Sequence, residues 1–146
     1  MASSPEWQSP LSWSDSAFSL DPFDLVFLPG GHEKSVRQVI DSKEVHRHLV
    51  EYFPKTRRQG DGSGPAKIVG AVCHGVMVLS EAKDAEGRCA IRECTTTALP
   101  ARFEQIAFWG TRAFLGDYYK TYGANSDDVE IAVSSSALFP FFFSIG

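Results

Sequence analysis

The spacing of apolar and polar residues changes character several times along the chain. Residues 1–20 (MASSPEWQSPLSWSDSAFSL) mix Ser and Pro with Trp7 and Trp13 and follow neither a helical nor a strand period. They predict an extended segment laid over a surface, with the two indoles as anchors. From Phe23 the pattern changes. Asp24-Leu25-Val26-Phe27-Leu28 is a short apolar run stopped by Pro29-Gly30-Gly31, the way a buried parallel strand ends in a tight turn. A helix is predicted from about Glu33 to Ile40. Ser42 then serves as N-cap for a second helix over Lys43 to Phe53, where Val45, Leu49 and Phe53 recur every four residues as one apolar stripe.

After a Gly-rich polar loop, Arg57 to Pro65, a second buried strand is predicted over Lys67 to Val72. It runs directly into Cys73-His74-Gly75 and a helix over Val76 to Ala82. Asp84 to Gly87 reads as a turn, and a weaker strand pair is expected at Cys89–Ile91 and Thr95–Leu99. Pro100 opens the longest helix, about Ala101 to Leu115, which Gly116 ends, with proline at the start and glycine past the finish. Strand–helix alternation of this kind implies an α/β fold: a small parallel, flavodoxin-like sheet with helices on both faces. Val133 to Gly146 (VSSSALFPFFFSIG) carries four Phe and no charge. That is too short for a membrane helix and an aggregation hazard if exposed. The expected division is an N-terminal segment at 1–20, a domain at 21–132 and a Phe-rich tail at 133–146.

Charge narrows the function classes. Fourteen basic against eighteen acidic residues give a net charge of −4, and no basic cluster exceeds Arg57-Arg58, so nucleic acid is not an expected partner. No apolar run approaches the ~18 residues of a membrane span, and residues 1–10 lack the features of a signal peptide. Three cysteines, Cys73, Cys89 and Cys94, fit no disulfide framework, so a reducing, cytoplasmic setting is expected. Cys89 and Cys94 lack a second Cys pair and do not spell a zinc site. His46 and His48, two apart on a helix, point different ways and read as exposed. No cofactor and no metal are expected.

Two turns carry the candidate chemistry. In Ala71-Val72-Cys73-His74-Gly75 a thiol sits between a buried strand and a helix, where a nucleophile stands free at the carboxyl edge of a sheet. The positive end of the helix favours the thiolate, and nearby N–H groups can hold an oxyanion. In Leu28-Pro29-Gly30-Gly31-His32, adjacent glycines let the main chain approach a substrate closely. Both turns fall on the sheet edge where open α/β folds bind ligands. Each also has a plainly structural reading: Cys73 as a buried inert thiol, His32 as a solvated turn residue.

Together the two turns resemble the ThiJ/PfpI superfamily, whose fold is that of class I glutamine amidotransferases. The resemblance lies in FDLVFLPGGHEKSVRQ (Phe23–Gln38), KIVGAVCHGVMVLSEA (Lys67–Ala82), TTTALPARFEQIAFW (Thr95–Trp109) and GDYYKTYG (Gly116–Gly123). The flanking segments are similar to the chaperone/glyoxalase III branch. What this resemblance implies is a cofactor-independent cysteine enzyme, a hydrolase or lyase acting on small reactive carbonyl compounds, with Cys73 as nucleophile and His74 as its base partner. Gly30, Gly31, His32 and Gly75 would form the oxyanion and substrate pocket. Glu104 is a candidate acid orienting Cys73 or His74, and equally a first-turn carboxylate favoured by the helix dipole. Tyr118, Tyr119 and Tyr122 read as packing and surface aromatics. Two other readings stay open, a redox-sensing or chaperone-like stress protein without turnover and an inactive truncated paralogue.

The chain departs from the family at both ends. The family's opening strand–helix–strand unit supplies a glutamate that contacts the cysteine. Here Glu6 is the only glutamate before Leu20. The chain therefore looks like the middle of a family member, with an incomplete sheet. An open sheet edge and an uncharged aromatic tail both invite a second copy, so a homodimer is one expected state.

Overall fold

A computed structural model describes residues 4–57, 67–96, 100–122, 126–134 and 139–140. Two strands, β1 (Leu25–Leu28) and β2 (Ile68–Ala71), pair in parallel, with Leu25 opposite Ile68 and Leu28 opposite Ala71. Parallel pairing needs a crossover. Among the described residues it holds a 3₁₀ turn at Lys34–Val36, α2 (Arg37–Ile40), α3 (Lys43–Tyr52) and a 3₁₀ turn at Phe53–Thr56. β2 leads into α4 (Gly75–Glu81). Beyond it come β3 (Thr95–Thr96), the long α5 (Ala101–Leu115), α6 (Val129–Ser134) and β4 (Phe139–Pro140), with β3 and β4 parallel. The mixed α/β architecture and the parallel pairing are those expected.

The sheet's two faces differ. Val26 and Leu28 point into a core shared with Ile40 and Val45, Leu49 and Tyr52 of α3, and Val78 of α4. The opposite face carries Leu25, Phe27 and Ile68, each more than half exposed. Helices thus cover one face among the described residues, in keeping with an incomplete sheet. Ser42 caps α3 as predicted, its Oγ accepting from Val45 N at 3.3 Å.

Several expectations need correction. The buried stripe of α3 is Val45, His48, Leu49 and Tyr52, while Phe53 is half-buried at the start of the next turn. His48 is therefore not exposed. Trp13 and Phe18 lie over it, with the Phe18 ring edge-on at 5.0 Å, and its Nε2 reaches the Trp13 carbonyl at 3.2 Å. His46 is half-buried, with Nε2 2.6 Å from the Ile40 carbonyl. Trp13 anchors the N-terminal segment as expected; the Trp7 side chain lies outside what is described. That segment is not wholly extended, since Pro5–Gln8 forms one helical turn, α1. Cys89 and Thr95 do not belong to one strand pair. Cys89 bridges Lys83 across a turn, and Thr95–Thr96 pairs with β4. The tail does not begin at Val133: that residue is fully buried inside α6, a helix the sequence reading missed. The Gly-rich loop beyond Arg57, Thr97–Leu99 and Phe141–Gly146 lie outside the described residues.

Candidate functional site

The parallel register brings the two turns together, because β1 and β2 end side by side and each chain leaves at the same edge. Val72 N donates to the Leu28 carbonyl at 3.2 Å, carrying the pairing one residue past the strands. Glycine then allows the turns to interlock. A Cβ on Gly30 would lie 2.6 Å from Cys73 Cβ and 2.7 Å from His74 N. One on Gly75 would lie 2.2 Å from the Leu28 carbonyl oxygen. Gly31 has open space around it but a φ of 149°, a conformation that side chains rarely adopt.

Cys73 has a φ of 52°, the one positive value at a non-glycine position among the described residues. Such a conformation is costly and persists only where the surroundings enforce it. Here β2 ends at Ala71, two residues before Cys73, and α4 begins two residues after it, with Gly75 N bonded to the Val72 carbonyl at 2.9 Å and Val76 N to the Cys73 carbonyl at 3.2 Å. The thiol is left exposed at the sheet edge. His74, in contrast, is buried beneath it.

The side chains converge. Cys73 Sγ lies 3.4 Å from His74 Nδ1. On the far side of that ring, His74 Nε2 is 3.8 Å from Glu104 Oε1, and the same oxygen is 3.7 Å from His32 Nε2. The His32 and His74 rings meet edge to face at 4.7 Å, and Tyr119 packs on the other side of His32 at 4.9 Å. Glu104 is buried in the first turn of α5, and its second oxygen accepts from Val129 N at 2.8 Å. It joins α5 to α6 and faces the two imidazoles. His32 is not a solvated turn residue. The N–H of Gly75 is already given to Val72, whereas those of Gly31 and His74 find no acceptor among the described residues. The sequence reading overlooked Tyr119 as a wall of the site and Val129 as the partner of Glu104. Neither carries a local motif, and both are placed by packing.

Burial sets the protonation states. It lowers His74 to about 4, with the neighbouring His32 adding to the effect, and it also lowers His32. Burial raises Glu104. At neutral pH His74 is an uncharged acceptor. Burial also pushes the Cys89 and Cys94 thiols up, away from reactivity.

The His74 shift has a consequence for stability. Between pH 6.5 and about 4 the unfolded histidine is protonated and the folded one is not, so acidification across that window favours unfolding. Taken alone, the shift is worth up to about 3 kcal/mol, and Glu104, shifted upward, works in the opposite sense. Urea midpoints at pH 7 and pH 4.5 should therefore drop more steeply in the parent than in His74→Gln. Parallel pH dependences would show that His74 is not held neutral.

Comparison with known proteins bears on the family and the fold. A family model described as ThiJ/PfpI family-like matches residues 1–132. Two uncharacterised proteins of Schizosaccharomyces pombe are similar, one 29% identical over 82 residues and the other 25% identical over 79. These matches take in 56% and 51% of this chain but only 29% and 26% of the relatives, so the similarity spans less than a third of either. The crystal structure of the 24 kDa rapid encystment protein of Francisella tularensis shares the fold, with a TM-score of 0.61 at 19% identity. That match covers 95% of this chain and 50% of the other.

Proposed function

Because the chain belongs to the ThiJ/PfpI-like family, we propose that it is a cysteine-dependent, cofactor-independent protein that converts small 2-oxoaldehydes to 2-hydroxy acids. The observation that carries this reading is the line Cys73 Sγ, His74 Nδ1, His74 Nε2, Glu104 Oε1, set at an elbow whose thiol is exposed. A nucleophile in reach of a base, with the base oriented by a third group, is the arrangement covalent catalysis requires.

The reaction follows from these positions. His74 Nδ1 takes the thiol proton, and the thiolate adds to the aldehyde carbon, giving a hemithioacetal. The N–H groups of Gly31 and His74 donate to the developing oxyanion. A proton then leaves the former aldehyde carbon and is returned to the neighbouring carbonyl carbon through an enediol. The first carbon is thereby oxidised and the second reduced, which leaves a 2-hydroxyacyl thioester on Cys73. Water cleaves that thioester and restores the thiol. The electrons balance within the substrate, so no external oxidant or reductant is needed. Glu104, facing both imidazoles, stabilises the protonated state His74 passes through.

The test is conversion of methylglyoxal to lactate by the purified chain. Lactate formed in proportion to protein is expected. Peroxide-dependent modification of Cys73 without any lactate would favour a redox-sensing role for the same thiol, and the absence of both would overturn the cysteine-based reading altogether.

A further inference from the structure

The residues that meet at this edge also form a donor set of another kind. His32, Cys73 and His74 each offer a ligand atom, and these atoms lie within 4.8 Å of one another. About forty residues separate His32 from Cys73, so no spacing rule finds the cluster. Cys89 and Cys94, close together in the sequence, are not part of it.

Two imidazole nitrogens and one thiolate suit a borderline-soft divalent ion, with zinc the closest match. Around tetrahedral zinc, at bond lengths of about 2.0–2.3 Å, such donors sit roughly 3.3–3.8 Å apart. The separation of 3.4 Å between Cys73 Sγ and His74 Nδ1 already falls in that range. Small side-chain rotations would bring in His32, half-buried, whose ring already meets that of His74 at 4.7 Å. The surroundings match as well. Zinc-binding histidines direct their other ring nitrogen at a carboxylate, which fixes the ring and strengthens it as a ligand. Glu104 Oε1 stands in that position for His74, 3.8 Å from Nε2, and it is itself held by Val129 N. Because Cys73 is exposed, an ion has a way in.

We infer that His32, Cys73 and His74 bind one zinc ion, with Glu104 orienting the His74 ring. Binding takes up the Cys73 sulfur and the His74 Nδ1 lone pair, so the metal-bound form cannot begin carbonyl addition. The site itself stands on the cluster's geometry; only its inhibitory consequence rests on the function proposed above.

Cobalt(II) is the probe, because a thiolate bound to it gives a near-ultraviolet charge-transfer band. Titration of the purified chain should give that band at one equivalent, and zinc should displace it. Cys73→Ser should remove the band. His32→Ala, a change at a half-buried position, should weaken binding at least tenfold while the far-ultraviolet circular dichroism stays that of the parent. Cys89→Ala and Cys94→Ala should leave the titration unchanged. No band, or one that survives Cys73→Ser or follows Cys89 or Cys94, would overturn the site. In the second arm, one equivalent of zinc should stop lactate formation and a chelator should restore it. Undiminished turnover with the band present would overturn the inhibition. Because the titration needs no turnover, a chain that binds cobalt but makes no lactate contradicts only the proposed function. A chain that makes lactate without the band contradicts only the metal site.

Discussion

Cys73→Ala should lower methylglyoxal-to-lactate conversion by at least about 10³-fold, because the bond to the substrate is made by the sulfur and no other group can substitute for it. What remains would be binding and whatever polarisation the Gly31 and His74 N–H groups provide. Glu104→Gln is the informative companion. The amide oxygen still accepts from Val129 N, so the joint between α5 and α6 survives, but the charge facing His74 and His32 is lost. A fall of roughly 10²-fold is expected, the size of one positioned acid–base partner. Steady-state kinetics, with thermal melts to confirm folding, measure both. If Cys73→Ala kept parental turnover, the chemistry would lie elsewhere.

Gly75→Ala should destabilise the chain by more than about 3 kcal/mol, enough to threaten folding altogether in a protein of ordinary stability. The added methyl would sit 2.2 Å from the Leu28 carbonyl oxygen and 2.9 Å from its carbon. Both are backbone atoms next to the core side chain of Leu28, so neither can move aside cheaply. Gly30→Ala meets a similar obstacle, 2.5 Å from the Val72 carbonyl oxygen. Gly110, inside α5 with nothing within 4 Å of its would-be Cβ, is the contrasting case. There, Gly→Ala should stabilise by roughly 0.5–1 kcal/mol, from helix propensity and unfolded-chain entropy. Urea denaturation of the three variants decides it. A Gly75→Ala midpoint equal to the parent's would mean that the turns do not interlock.

Elements with strong local signals were legible in the sequence. Ser42 caps α3, and α5 runs from Ala101 to Leu115 between its proline and glycine. Both parallel strands lie where apolar runs meet turn residues, so the meeting of PGGH with Cys73-His74 followed from parallel pairing alone. What escaped was decided by distant packing. His48 looked exposed because helical spacing does not reveal that Trp13 and Phe18 fold across it. α6 escaped because six residues give too little periodicity, and its place depends on Glu104 accepting from Val129 N. β3 and β4 are two residues long and lie more than forty apart in the chain, a pairing with no local trace. For Glu104 the sequence offered a helix-end carboxylate and a site acid; that it lies buried facing both imidazoles is a matter of packing that no local motif shows.

The central claim is that one thiol, set by the elbow and placed against His74, differs in kind from the other two. Brief exposure of the folded chain to limiting iodoacetamide near pH 6, followed by peptide mapping, tests it most directly. Cys73 is exposed on the strained turn beside an uncharged imidazole, whereas burial holds Cys89 and Cys94 in the unreactive thiol form. The account predicts that the label falls overwhelmingly on the peptide containing Cys73. Equal labelling of the three cysteines, or preference for Cys89 or Cys94, would contradict it.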